Sequence, residues 1–348
     1  MKQFNNILYV SEASVAQGPA MARAVSLAEN NQADLTVIDV VPVITAGIGM
    51  PPGGPISTQL QSAVVSKRRA ELESLVAPYQ QRRGIQIEVL VGQMFLEVIR
   101  AVLRNRYDLL IKPAENPDFI ERLFGSNDMH LLRKRPCPVW LMRPDEKSNY
   151  GCILAAVDFD LDNMSNTVEQ SLNRQILELA SSLALSDFAA LHFIHVWDAP
   201  AETMVRSWAD NPDEAGMTYV EGERSRHERA FNRLRDRLSN QIGKEAYDHL
   251  SPQFHLRRGA ASTVIPELAK QLQADLVVMG TVSRTGIAGL FIGNTAESIL
   301  EQLQCSVLAV KPLGFVSPIK QGALKNQPQH FGEDKVLEWK KQKSCISS

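Results

Sequence analysis

The chain has 348 residues, a formal net charge of −2, 44% hydrophobic residues and 22% charged residues. That length suggests about two domains of ordinary size with ample cores. The charge balance argues against general nucleic-acid binding, which needs a basic surface to displace phosphate counterions. Four cysteines, Cys137, Cys152, Cys305 and Cys345, show no CxxC spacing. Cys137 and Cys305 each precede a strand-like run, the placement of small buried thiols in a reducing cytoplasm.

The chain moves straight into a strand-like run at 7–10, without the apolar stretch of a signal peptide. A helical pattern over 15–31, with Ala20, Ala24, Leu27 and Ala28 on one face, leads to a strand at 35–41. From Val40 to Ser66 no charge occurs, a length that would span a bilayer. Pro42, Pro51, Pro52, Pro55, Gly47, Gly49, Gly53 and Gly54 exclude a membrane helix there, so 42–57 reads as a long loop. A helix over 57–83, with Leu60, Val64, Leu72, Leu75, Val76 and Tyr79 on its apolar stripe, is expected to end at Gly84. Strands at 85–91, 109–111 and 139–142 follow, with helices near 93–105 and 118–134 between them.

The same order then recurs. The spacing predicts strands at 153–157, 189–196, 254–256, 276–279 and 307–310, with helices over 165–185, 217–242, 261–273 and from 294. The two halves align. Gly92 and Gly259, and likewise Asp108 and Asp275, are 167 residues apart, while Cys137 and Cys305 are 168 apart. The chain is therefore a duplication, with domains at 1–145 and 150–313 and a polar, lysine-rich tail at 314–348 that has one helical turn expected near 336–339. Each half alternates strands buried on both faces with helices. That pattern predicts two tandem five-stranded parallel α/β sandwiches.

The stretch 275–312 carries the clearest chemistry. A strand opens onto Gly280, a loop holds Gly286, Gly289 and Gly293, and Asn294-Thr295 starts a helix. Glycines let backbone approach a ligand closely, and free N–H groups at a helix N-terminus favour an anion such as phosphate. A plain βαβ connection with flexible turns accounts for the same glycines. Arg284 in the loop fits either a phosphate partner or a solvent-exposed cation. His192 and His195, three apart on a strand, face opposite sides and cannot easily share a metal. Asp158, Asp160 and Asp162 lack the glycine and distal glutamate of a calcium loop, so the last two suit turn and cap duty. The run at 221–229 reads as a solvated helix face. No GxSxG elbow, GxxxxGK[ST] loop or other catalytic constellation occurs.

Several of these segments resemble the universal stress protein family in its tandem two-domain form, closest to the E subtype, over 3–144 and 150–313. They are Val157-Asp158, L-H-F-I-H-V from Leu191, D-L-V-V-M-G-T from Asp275, G-N-T-A-E from Gly293 and C-S-V-L-A-V-K-P from Cys305. The resemblance implies a Rossmann-like fold of the adenine-nucleotide alpha-hydrolase type. It also implies a pseudo-dimer packed through 139–142 and 307–310, and leaves further homodimerisation open.

ATP-binding members carry Gly, two residues, Gly, nine residues, Gly, then Ser or Thr. Here the first glycine is Gly280, Ser283 replaces the second, Gly293 keeps the third, and Asn294 takes the hydroxyl position with Thr295 next. Asp158 matches the acid that contacts the nucleoside, and Val196 the position near adenine. In the first half, Val10-Ser11 stands where the acid would be and Lys112-Pro113 replaces Met279-Gly280, so nucleotide binding is expected to be lost. Only Gly125-Ser126 matches the end of the motif. The expectation is a non-catalytic, cytoplasmic stress-response protein whose second half binds ATP or another adenine nucleotide, without metal, nucleic acid or membrane. The alternative is an interaction or ligand-sheltering module holding something apolar. An ATPase or nucleotidyl transferase ranks last, because no base or metal set is present.

Overall fold

A computed structural model describes residues 4–45, 54–80, 84–115, 126–147, 149–159, 161, 167–281, 292–312 and 314–319. The first half runs β1 (Asn6–Val10), α1 (Gly18–Asn31), β2 (Asp34–Val41), α2 (Pro55–Val76), β3 (Ile85–Val91), α3 (Met94–Asn105), β4 (Leu109–Pro113), α4 (Asn127–Lys134) and β5 (Val139–Met142). The second runs β6 (Cys152–Ala156), α5 (Thr167–Asp187), β7 (Ala190–Trp197), α6 (Glu202–Trp208), α7 (Pro212–Ile242), α8 (Lys244–Leu250) and β8 (Gln253–Arg258), then α9 (Ala261–Gln271), β9 (Leu276–Gly280), α10 (Asn294–Gln302) and β10 (Ser306–Val310).

All ten strands form one sheet in the order β3-β2-β1-β4-β5-β10-β9-β6-β7-β8. Neighbours within each half are parallel. At the centre, β5 and β10 are antiparallel, with Leu308 opposite Trp140 and Ala309 opposite Val139. The tandem parallel α/β fold and its junction through the last strand of each half are as expected. Helices cover both faces, which is why β5 and β10 read as unbroken apolar runs with every residue buried.

Some helix limits differ from the sequence pattern. The helix expected to reach Gly84 leaves α-geometry at Val76 and continues as a 3-10 turn over Ala77–Tyr79. Pro78 has no N–H to continue the α-ladder. The long charged helix begins at Pro212 rather than near 217, and α6 and α8 flank it. Of the helix expected over 118–134, α4 covers Asn127–Lys134; 116–125 and the tail beyond 319, with its expected turn at 336–339, lie outside the described residues.

One face of the β5–β10 seam is closed by a buried ion pair. Arg23 Nη1 of α1 lies 2.5 Å from Asp187 Oδ2 at the end of α5. Tyr150 N donates to the same oxygen at 3.0 Å, the Arg23 guanidinium stacks 4.2 Å from the Tyr150 ring, and Trp140 Nε1 donates to Tyr150 Oη at 3.0 Å. Both charges have lost their water, so each depends on the other. Asp187→Ala leaves Arg23 buried and unpaired and should cost about 3–5 kcal/mol in urea unfolding, whereas the double variant Arg23→Met with Asp187→Leu should recover much of that.

Glu146 sits beside the seam, where Ser306 Oγ donates to its Oε2 at 2.6 Å. Burial pushes its carboxyl up to about 7. The folded state therefore keeps a proton that the unfolded state has already released, and stability falls as pH rises from the ordinary carboxylate range through about 7. Glu146→Gln removes that slope. Relative to the parent chain it should gain on the order of 1–3 kcal/mol at about pH 8 compared with about pH 5, read from urea midpoints.

Candidate functional site

In the second half the chain leaves β6 towards β7 on one side and leaves β9 towards β10 on the other. This reversal opens a crevice at the carboxyl ends of β6 and β9, the usual ligand position of an open parallel sheet. Ala156 lies opposite Met279, and Val157 N donates to Ile194 O at 3.0 Å. Asp158 therefore emerges between β7 and β9. Val196, two residues past Ile194, is half-buried on the face covered by α9 and α10. Gly293 N donates to Thr281 O at 3.1 Å, and Thr281 N to Val310 O at 3.2 Å, which ties the start of α10 to the end of β9. Asp158, Val196, Gly280, Gly293, Asn294 and Thr295 thus share one edge of the sheet. Ser283, with Arg284, Gly286 and Gly289, lies outside the described residues, as do Asp160 and Asp162.

The N-terminus of α10 has no side-chain cap, because Gly293 holds the capping position. Asn294 and Thr295 are exposed beside it. Among the described residues no side chain accepts from its first amides, which together with the positive end of its dipole stand at the crevice edge. Thr281, fully buried at the same place, has an Oγ1 with no hydrogen-bond partner. An uncapped helix start and an orphaned hydroxyl both suit a phosphate oxygen.

Two residues are explained by packing and were not foreseen. A Cβ at Gly280 would lie 2.6 Å from Leu172 Cδ2, so a side chain there must push the half-buried Leu172 tip of α5 aside. Asn173 of α5 holds Asp158 in place: its Nδ2 donates to Asp158 O at 2.6 Å and its Oδ1 accepts from Asp158 N at 3.3 Å. Asp158 Oδ1 in turn accepts from Phe159 N at 3.0 Å. The one sequence mark of Asn173 is a polar residue in the buried stripe with Ile176, Leu177 and Ala180.

The equivalent crevice of the first half, between β1 and β4, is filled by the protein itself. Lys112 is 0% exposed. Its Nζ lies 2.9 Å from Asp128 Oδ1, 3.0 Å from Glu12 Oε2 and 3.8 Å from Glu115 Oε1, and it donates to Pro113 O at 3.1 Å. Burial works against its charge, yet Asp128, Glu12 and Glu115 together hold the ammonium above its ordinary pKa. Asp128 stands in the first turn of α4, whose start is capped by Ser126 Oγ accepting from Met129 N. The acid here comes from Glu12, one residue beyond Ser11.

The histidines pair off on opposite faces of β7. His195 Nε2 lies 2.8 Å from His227 Nδ1, and His192 Nδ1 lies 2.9 Å from His255 Nε2. Among the described residues no group of three or more His, Cys, Asp or Glu side chains is placed to hold a metal. Cys137, Cys152 and Cys305 are buried free thiols. Arg226 pairs with Glu223 along the charged face of α7. No helix among the described residues is long and apolar enough to cross a membrane.

Two doubly wound parallel units, the second with a glycine-started helix at its switch point, define a tandem protein of the parallel α/β class. The universal stress protein family profile matches residues 3–143 and 150–311, and the chain belongs to that family, a group of stress-response proteins. Relatives named Universal stress protein E from Escherichia coli K12 and Salmonella typhi are each 29% identical over 329 residues, covering 92% of this chain and 98% of theirs. Among solved structures, a putative universal stress protein from Pseudomonas aeruginosa UCBPP-PA14 is 26% identical with a TM-score of 0.57, over 89% of this chain and 94% of that one. One from Archaeoglobus fulgidus, 17% identical with a TM-score of 0.54 over 88% of this chain and 96% of that one, shares the fold.

Gly280→Ala should destabilise the chain by about 1–3 kcal/mol through overpacking. In a Leu172→Ala background the same change should cost less. A double-mutant cycle in urea measures the coupling, and additive costs would contradict the packing account.

Proposed function

We propose that this family member binds ATP or a related adenine nucleotide in its second half only, without chemical turnover. The observation that carries the reading is the uncapped start of α10 beside the unpartnered Thr281 hydroxyl. With the Gly293 amide already donating to Thr281 O, the amides of Asn294 and Thr295 take the phosphates, and Thr281, Ser283, Asn294 and Thr295 supply side-chain contacts. The exposed Asp158 carboxylate meets the nucleoside, and Val196 offers apolar surface to adenine. In the first half, three carboxylates around one lysine repel a phosphate at the matching place. The absence of a base or metal set in the sequence supports a non-catalytic role. A cytoplasmic setting agrees with the free cysteines, and pairing of whole chains remains compatible with the intramolecular pseudo-dimer.

Calorimetry of the full chain with ATP is expected to show one binding event per chain. Thr281→Val and Asp158→Ala should each weaken it about tenfold, which corresponds to about 1.4 kcal/mol. No heat at roughly millimolar ATP, with no nucleotide co-purifying, would overturn the reading.

A second reading, an interaction or ligand-sheltering module, draws on exposed Val43, Ile56, Leu60 and Val64 around the start of α2. Native mass spectrometry separates the two. A lipid-like passenger without nucleotide would favour the module.

A further inference from the structure

The two faces of the β5–β10 seam treat charge differently. On one, Arg23 meets Asp187. On the other, α4 passes through Arg135-Pro136-Cys137 into β5, while Lys311 follows directly on the end of β10. The antiparallel register, continued two residues beyond the Ala309–Val139 pair, sets Lys311 across from Cys137. Arg135 is 0% exposed, and its Nε, Nη1 and Nη2 all lack a hydrogen-bond partner. Lys311 is 5% exposed. It donates to Arg133 O at 2.6 Å, and its ammonium lies 3.8 Å from the centre of the Phe315 ring. The neighbouring carboxylate, Glu297, is engaged by Arg133. Among the described residues none of the ion pairs includes Arg135 or gives Lys311 a carboxylate.

A guanidinium keeps its proton and has five N–H donors to satisfy. Buried charges in proteins are paired, and a buried donor without an acceptor calls for a water or an ion. We propose that this face of the seam is an anion-binding site, in which Arg135 from the first half and Lys311 from the second jointly hold a small inorganic anion of the phosphate or chloride class. The ligand must be small, because both side chains are closed off from solvent. Lys311 gives one hydrogen to the end of α4 and retains others for the anion.

The electrostatics agree with this assignment. Burial, and then the Arg135 charge, bring the Lys311 ammonium down to about 7. Burial brings Arg135 down to about 10. A bound anion relieves both, and it ties one half to the other across the junction. It is the counterpart of Asp187 on the opposite face, supplied from solution instead of from the chain.

The test is thermal unfolding of the full chain at constant ionic strength, replacing gluconate, which is too large to enter, by chloride in one arm and phosphate in another. The midpoint should rise saturably by several degrees in at least one arm, as for any ligand of the folded state. Arg135→Met should abolish the rise, and in gluconate should melt no lower than the parent, since it removes an unpaired charge. If that variant does not fold, Lys311→Met carries the same test. A chain with Asp158→Ala and Thr281→Val should keep the full rise, which separates this site from the proposed nucleotide site. Equal midpoints in all three salts, or the same rise in the Arg135 and Lys311 variants as in the parent, would overturn the assignment.

Discussion

The antiparallel pairing of β5 with β10 is the contact on which the rest of the molecule depends. Each of these strands closes a five-stranded sheet at an edge whose residues are all buried. Left open, such an edge would be a template for non-native pairing. Pairing the last strand of one half with the last strand of the other removes both edges at once, and both cores then run across the junction. It also imposes an approximate two-fold relation on the duplicated sequence. Arg143 and Lys311 are equivalent by the repeat, and each reaches over the junction to the other half's last helix, Lys311 to the last turn of α4 and Arg143 to the chain just past α10. Arg143 Nη1 donates to Gln304 O at 2.7 Å, and Lys311 Nζ to Arg133 O at 2.6 Å. A cation at a helix C-terminus is favoured by the dipole, so the two contacts pin the halves in the same manner.

Where the halves depart from that symmetry, the same place has been given a different charge. Arg143 has Asp145 at 2.9 Å, while Lys311 faces Arg135. Beneath β2, buried Asp39 pairs with Arg68 of α2 at 2.7 Å; beneath β7, buried His195 pairs with His227 of α7 at 2.8 Å. Burial raises the Asp39 carboxyl, Arg68 opposing it. The histidine pair performs the same strand-to-helix attachment through a hydrogen bond between two ring nitrogens. The backbone tolerates either solution because each is complete within itself.

Much of the fold was legible because inner parallel strands covered on both faces are largely apolar, as β5, β6, β9 and β10 are. The edge strands β3 and β8 still keep a short apolar core among polar residues. The duplication was legible for the same reason. Helices that bury nothing leave no stripe to read, and neither α6 nor α8 has a buried residue; both were missed. The candidate site was legible only as far as its local parts. Gly293 and the helix start after it lie side by side in sequence. The filling of the first crevice was not legible, because Lys112 meets Glu12 across 100 residues. Lys112-Pro113 read as the loss of a glycine, and no pattern at that position shows what replaced it. Gly280 read as a ligand position from its local motif, and its contact with the Leu172 side chain of α5 left no mark in that motif. The clamp on Asp158 by Asn173 likewise joins residues from a strand end and a helix interior.

The two crevices show how one backbone answers a single electrostatic demand in two ways. The start of a helix at a sheet's carboxyl edge presents unpaired amides and a positive dipole end, and something must accept from them. In the first half the chain supplies the acceptor: Ser126 caps α4, Asp128 stands in its first turn, and Lys112 balances the acids gathered there. That site is satisfied whether or not a ligand is present, so its contribution does not depend on ligand concentration. In the second half Gly293 caps nothing, and the Thr281 hydroxyl beside it has no partner. Among the described residues no side chain caps that helix or partners that hydroxyl, and under the nucleotide reading the partner comes from solution. Under the nucleotide reading, folding of that half is coupled to ligand concentration while the first half is not. Under that reading one site responds to ligand and the other holds its partner steady, which would give the duplicated domain a reason to keep both copies.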